Sequence, residues 1–379
     1  MCQKMADAPV DPTFSLSVGP EKIVYTGGLC PGLFRSAKGS LLVNTSDTAG
    51  FPINVISRDA GKTWQCWIPK GSPPDSHPAV PSGCVGQRTR DSVILAMEHQ
   101  AHGPNQFGDF LGRLWMSSDD LATFTSRMVR IHHPRGRAGI GDDGKTAGLV
   151  FCRTMLELPS GSLLATAYGW CENDTVADGT QPAICTRSRV MLFRSDNGGD
   201  SWRCVSDIAT DPTRGPEGFN ETAMVRLSTG AHAGRLVAIM RTGSANCAIH
   251  LAQSDDEGAT WSDPRALPFG GVYPDLIEMS NGTLACSFGW RGGGTMESNY
   301  VVFSRDGGET WVNLTALPLE GYAATWYRSS TYYTGLREIA PGRLLVVYNH
   351  GEFGANWPVK YVAAREVAVV SEAKPQQRK

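Results

Sequence analysis

The sequence predicts an all-β chain, a six-bladed propeller of four-stranded antiparallel blades, on three observations. An octet of the form Ser-x-Asp-x-Gly-x-Thr-Trp recurs along the chain. A second, shorter repeat of a turn followed by an apolar strand falls between the octets. Helical periodicity is essentially absent.

The octet is clean at Ser57–Trp64, Ser254–Trp261 and Ser304–Trp311. It has drifted at Ser195–Trp202, where Asn197 replaces the Asp and Ser201 the Thr. It has drifted again at Ser117–Phe124, with Leu121 for Gly and Phe124 for Trp. The Asp positions fall at 59, 119, 197, 256 and 306, a period suited to one propeller blade per copy. An Asp ahead of a glycine-bearing turn accepts hydrogen bonds from N–H groups a few residues on, and the Gly supplies positive φ. The Trp then opens the next strand as an apolar wedge between sheets. These aspartates are therefore turn staples, since one fold has no use for five copies of an active site.

The second repeat is Lys38-Gly39-Ser40-Leu41-Leu42-Val43, with counterparts beginning at Ser160, Ala233, Asn281 and Pro341, and Arg90-Asp91-Ser92-Val93-Ile94-Leu95 fills the gap. That makes six units against five octets, each reading as strand, hairpin, strand. The last unit has no octet and ends in the strand-like run Val359–Val369, while residues 13–26 offer a strand ahead of the first unit. Closing a ring requires joining its ends, so the N-terminal strand is expected to complete the last blade. The division expected is a flexible stretch over 1–12, one propeller domain over 13–371 and a frayed tail over 372–379.

With 35 Lys and Arg against 37 Asp and Glu, the chain has no basic excess to hold nucleic acid. No run approaches a membrane span, and Met1–Pro12 has no apolar core of a signal peptide, so a cytoplasmic location is expected for the chain as given, and a secreted one if it was trimmed. The 10 cysteines contain no CxxC pair and mostly sit in apolar runs, as buried free thiols; Cys171 and Cys185, bracketing a polar loop, are the one pair to test for a disulfide. Gly139–Thr146 matches GxxxxGK[ST] letter for letter. A polar stretch precedes it where a buried strand is required, and an apolar strand-like run follows instead of a helix, so it reads as a connecting loop. His132-His133 lacks partners at ligand spacing, and neither a metal nor another cofactor is expected.

The octets resemble the Asp boxes, or BNR repeats, of the sialidase (neuraminidase) superfamily, and the segments between them resemble that family's active-site motifs along nearly the whole chain. Tyr332-Tyr333-Thr334-Gly335-Leu336 is similar to the family's Tyr-Ser-x-Leu stretch, which implies Tyr333 as nucleophile; Tyr332 could instead be the inward one, and a strand tyrosine at a blade edge is the rival reading. A phenol suits a substrate with a carboxylate beside the anomeric carbon, which would repel an anionic nucleophile. Asn220-Glu221-Thr222 resembles the Asn-Glu segment and implies Glu221 as the base that takes the phenol proton, since a phenol of pKa near 10 is otherwise a weak nucleophile. By the same resemblance Arg241 and Arg291 belong to a carboxylate clamp and Asp47 is the general acid, while a solvated loop arginine and a turn-capping Asp are the rivals for Arg291 and Asp47. Trp170, Trp290 and Trp326 are candidate stacking platforms for a sugar, with blade packing as the alternative.

One position departs from the family. Sialidases carry an Arg-Ile-Pro motif on the first strand, and here Leu29-Cys30-Pro31 stands in its place, so the first clamp arginine is a leucine. Losing one bidentate arginine removes a charge-assisted pair of about 1.5–3 kcal/mol. What the resemblance implies is an exo-acting, retaining glycosidase releasing a terminal sugar, sialic acid or another. The alternatives are a glycosidase or polysaccharide lyase for a different sugar, with His77, His132 or His350 as acid/base, and a propeller that only binds glycan or protein. The pocket is expected on the central axis, at the face away from the octets.

Overall fold

The computed structural model describes residues 8–46, 51–67, 83–140, 146–172, 174, 187–211, 217–242, 247–291, 298–318, 330–351 and 360–371. They form β-strands, turns and irregular connections, with no helix among them. The strands group into six units of four antiparallel strands; short parallel pairings of Arg130–His132 with Ser201–Arg203 and of Thr154 with Val85 join the second and third, and Lys22–Thr26 also pairs with Tyr361–Ser371 of the sixth. Unit 1 is Leu29–Arg35, Leu41–Ser46, Pro52–Ser57 and Gln65–Trp67. Unit 2 is Cys84–Gln87, Ile94–Met97, Asp109–Ser117 and Thr125–His132, and unit 3 is Leu149–Glu157, Leu163–Cys171, Arg189–Ser195 and Ser201–Ala209. Unit 4 is Phe219–Arg226, Leu236–Thr242, Ala248–Ser254 and Arg265–Gly270; unit 5 is Val272–Glu278, Leu284–Trp290, Ser298–Ser304 and Val312–Leu317. Unit 6 is Thr334–Ala340, Arg343–His350 and Tyr361–Ser371, and its fourth strand is the N-terminal Phe14–Val18, paired antiparallel from Phe14↔Ser371 to Val18↔Val367.

This arrangement explains why six units carry five octets. In units 1 to 5 the octet is the turn between third and fourth strands; in unit 6 those strands come from opposite chain ends, so that turn does not exist. Each Asp octet is stapled as its composition demands. In the octet at Ser254, Ser254 Oγ donates to Asp256 Oδ1 at 2.8 Å, Thr260 N donates to the same oxygen at 2.9 Å, and Thr260 Oγ1 donates to Oδ2 at 2.6 Å. The drifted copy keeps the turn with reversed polarity on one arm: Asn197 Nδ2 donates to Ser201 Oγ at 2.9 Å. Leu121 occupies the glycine position at φ 69°, and the strain of a left-handed leucine is offset by burying its side chain fully against units 1 and 2.

In the second strand of each unit both faces are buried, which is why these strands read as continuous apolar runs, while outermost strands such as Thr125–His132 keep exposed positions. In Leu344-Leu345-Val346-Val347 the first and third side chains pack toward unit 5, the second and fourth toward unit 1. Six apolar clusters among the described residues lie between consecutive units, the sixth joining unit 6 to unit 1. The octet tryptophans Trp202 and Trp311 are each 2 % exposed and fill two of these layers, as expected of the wedge.

The innermost strands share an irregularity near their starts, at the ends opposite the octets. Pairing registers shift between Leu29 and Gly32, Cys152 and Leu156, Phe219 and Thr222, and Val272 and Asp275. Cys30 (φ 51°), Arg153 (φ 60°) and Tyr273 (φ 44°) lie within such shifts, and Tyr332 (φ 63°) just precedes the innermost strand of unit 6. Bulges and left-handed non-glycine residues re-aim side chains at a cost of about 1–3 kcal/mol each, and they cluster at functional sites.

Candidate active site

A cavity of about 330 Å³ opens where these irregular strand starts converge. Its wall takes Leu29, Cys30 and Ser46 from unit 1, Tyr168 from unit 3, Glu221 from unit 4, Tyr273 from unit 5 and Tyr333 at the start of unit 6. All lie at the end of their units away from the octets, the face on which the pocket is expected.

Tyr333 and Glu221, 112 residues apart in the chain, meet here: the phenol hydroxyl donates to Glu221 Oε1. Glu221 is 6 % exposed and held from three sides, with Arg241 Nη1 donating to Oε1 at 2.8 Å and the Tyr273 amide donating to Oε2 at 2.8 Å. Arg241 also pairs with Glu217 at 3.1 Å. Burial alone would push the Glu221 carboxyl up, but the Arg241 guanidinium and the hydrogen bonds from Tyr333 and Arg241 outweigh it and hold the group below the ordinary glutamate value. Burial and the adjacent Glu221 charge hold the Tyr333 phenol well above its ordinary value. The pair therefore rests as neutral phenol and carboxylate, with the acceptor of the phenol proton already ionised and in hydrogen-bond contact.

Neither of the two arginines offers a free fork to the cavity. Arg241 lies between Glu217 and Glu221, and Arg291 donates from Nε at 2.9 Å and from Nη2 at 2.5 Å to the Thr331 carbonyl, its guanidinium 5.3 Å from the Tyr333 ring centroid. Leu29, at the position of the missing arginine, lines the cavity with an apolar side chain. The neighbouring Tyr332 is 1 % exposed and does not line the cavity.

Tyr273 and His99 are among the wall residues that the sequence did not point to. Tyr273 stacks on Tyr333 with centroids 4.2 Å apart and planes 13° apart, and the Arg153 guanidinium lies 3.6 Å from its other face. Arg153 also donates to the carbonyls of Tyr273 and Thr334, beside the fully buried Asp275, which accepts from Arg337 Nη1 at 2.8 Å. His99 is the histidine of the wall; its Nδ1 meets only a carbonyl acceptor, Phe151 O at 3.1 Å, so Nδ1 carries the hydrogen, and burial holds the ring below its ordinary pKa and neutral. The signal for both was positional: Tyr273 opens its unit as Glu221 and Tyr333 open theirs, and His99 follows a second strand as Asp47 follows Ser46.

No family model and no curated protein matches the chain. Solved structures do match in fold. A protein of unknown function from Dyadobacter fermentans superposes with a TM-score of 0.66 at 16% identity, over 95% of this chain and 100% of that one. The NanB sialidase of Streptococcus pneumoniae gives 0.58 at 13% identity, over 96% of this chain and 71% of that one. The chain has the sialidase propeller fold. That fold is shared with the α-L-arabinofuranosidase Arb93A of Fusarium graminearum, at a TM-score of 0.58 and 12% identity over 93% and 98% of the two chains.

Within this propeller the remaining sequence candidates scatter. Trp290, 7 % exposed, packs in the layer between units 4 and 5, and Trp170, 4 % exposed, sits in unit 3 against Gly139; neither lines the cavity. Asp47 and Trp326 lie outside the described residues, as does His77. His132 bonds Asp109 at 2.8 Å and His350 bonds Glu21 at 3.0 Å, both away from the cavity. The GxxxxGK[ST] segment leaves Gly139–Ile140 paired antiparallel with Thr146–Ala147, a hairpin without the helix that phosphate binding requires. Cys171 is a free thiol with its sulfur 3.2 Å from His133 Nε2, and Cys185 lies outside the described residues. Among the described residues, no group of three or more His, Cys, Asp and Glu could hold a metal ion.

Proposed function

We propose that this chain is a sialidase-like retaining exo-glycosidase on a closed six-bladed propeller whose last blade takes the N-terminal strand. The observation that carries the reaction is the Tyr333–Glu221 hydrogen bond in the cavity wall, with Arg241 keeping the carboxylate ionised. In the first half-reaction the Tyr333 oxygen attacks the anomeric carbon while its proton passes to Glu221, and the leaving oxygen takes a proton from Asp47. In the second, Asp47 takes a proton from water, the water oxygen displaces the tyrosyl oxygen, and Glu221 returns the proton to Tyr333. Two inversions at one carbon retain its configuration. The assignment of Asp47 rests on the family resemblance and on its chain neighbour Ser46 lining the cavity. The blade count is supported by the six units, the Phe14–Ser371 pairing and the apolar layer between units 6 and 1.

A second reading of the substrate is favoured by the charges. With Leu29 in the wall, Arg241 paired to Glu217 and Glu221, and Arg291 donating to the Thr331 carbonyl, the described wall offers a carboxylate no arginine fork and places it near Glu221, so a neutral terminal sugar fits better than sialic acid. A panel of aryl glycosides, neutral ones beside a sialoside, separates these readings, with Tyr333→Phe and Glu221→Ala as controls. Hydrolysis of any member that survives undiminished in Tyr333→Phe would refute the mechanism. Binding of glycosides without turnover would leave a glycan-binding propeller.

A further inference from the structure

We propose that Tyr273 is a positioning residue that aligns both members of the reacting pair, with Arg153 clamping it from behind. The proposal rests on the reading of Tyr333 and Glu221 as that pair. Tyr273 reaches the two in different ways. Its ring lies on the Tyr333 ring at 4.2 Å and 13°, and its amide donates to Glu221 Oε2 at 2.8 Å. Rotation about Cα–Cβ swings the phenol oxygen, and rotation about Cβ–Cγ turns the plane in which its hydrogen and lone pairs lie; a parallel neighbour at van der Waals separation restricts both and so holds the hydroxyl toward Glu221. The amide fixes the carboxylate so that Oε1 is left for Tyr333 and Arg241.

The rest of the local structure is organised around holding Tyr273. Its φ of 44° is left-handed, which a tyrosine adopts only under constraint, and Arg153 at φ 60° is constrained alike. The Arg153 guanidinium covers the free face of the Tyr273 ring at 3.6 Å and donates to the Tyr273 carbonyl, so one cation grips ring and backbone together. Arg153 is itself fixed by the Thr334 carbonyl at 2.5 Å, one residue beyond Tyr333, and stands 3.9 Å from Asp275. The order through space is Arg153, Tyr273, Tyr333: a cation and two rings from three different units. The cation also draws the Tyr273 π density toward itself and away from Tyr333, which moderates the cost of charge building on the phenol oxygen as its proton leaves.

The test compares Tyr273→Leu with Tyr273→Phe, which share the backbone amide and differ in keeping a ring. On a glycoside that the wild type hydrolyses, Tyr273→Leu is expected to lower kcat about 10- to 100-fold with KM changed less than threefold, and Tyr273→Phe to recover most of the loss. Arg153→Met should fall between them. A readout independent of turnover is the tyrosine Cζ carbon resonance of Tyr333 in ¹³C-labelled protein, identified by its disappearance in Tyr333→Phe. It should move in Tyr273→Leu and stay in Tyr273→Phe. Equal kinetics and an unmoved Tyr333 resonance in folded Tyr273→Leu would overturn the proposal. A shifted resonance in a chain that hydrolyses no glycoside would keep the alignment and remove the glycosidase reading.

Discussion

Replacing Glu221 by Gln tests the proton transfer most directly, because the change preserves shape and removes only charge and acceptor capacity. Glu221 accepts from Tyr333 and Arg241 on one oxygen and from the Tyr273 amide on the other. A glutamine has one acceptor oxygen, so whichever way its amide turns, an N–H faces a donor and the phenol loses its base. A positioned general base contributes about 10²- to 10⁴-fold, equivalent to about 3–5 kcal/mol of barrier. The folding cost is smaller. Arg241 keeps Glu217 at 3.1 Å, so no buried cation is orphaned, and the loss is about 1–3 kcal/mol for unsatisfied donors instead of the larger penalty of a broken buried pair. The assay is kcat on the most reactive aryl glycoside for Glu221→Gln, Tyr333→Phe and the double variant, with thermal unfolding alongside. If the two residues act as one unit, the double variant is no slower than the worse single. Multiplying losses, or Glu221→Gln within threefold of wild type, would refute the coupling.

Three further outcomes are expected. Asp275→Asn should cost about 3–5 kcal/mol in chemical denaturation, because Arg153 and Arg337 are left without their shared, fully buried counter-charge; an unchanged midpoint would show that the charge is dispensable. Hydrogen bonds, led by that from the octet threonine hydroxyl, hold Asp59 and Asp256 at about 2 against an ordinary 3.8. Depressed carboxylates stabilise the fold above their unfolded value and cease to as pH falls through the folded one, so Tm should drop between pH 4 and 2, less steeply in Asp256→Asn; equal slopes would contradict this. Leu29→Arg should strengthen inhibition by free sialic acid about 10- to 150-fold, the yield of one charge-assisted pair of about 1.5–3 kcal/mol, and no change would mean that a carboxylate does not enter beside residue 29.

The all-β architecture was legible because its determinants are local and repeated. Asp256 finds all three of its octet partners between Ser254 and Thr260, so the turn is complete before any other part of the chain is placed. Leu121 and Asn197 show how far an octet drifts while its turn survives. The missing sixth octet also had a cause visible in the sequence, a strand before the first unit waiting for a partner. Tyr333 and Glu221 could be named, but only through the family resemblance, since nothing in either segment indicates that they touch. The tryptophans were ambiguous for a physical reason: a large apolar ring suits a blade interior and a sugar platform equally, and burial separates the two only once neighbouring sheets are in place.

By itself, then, the sequence determined the repeat, the turns that staple it and the apolar layers between sheets, all interactions that close within a unit or between consecutive ones. The tertiary structure alone decided the site. The stack of Arg153, Tyr273 and Tyr333 draws on three units, Arg241 and Arg291 are engaged inside the protein where the family resemblance implied a clamp, and His99 enters the wall from a fourth unit. The cavity takes residues from several units, many of them a repeat length or more apart in the chain, and no local pattern encodes which of them converge.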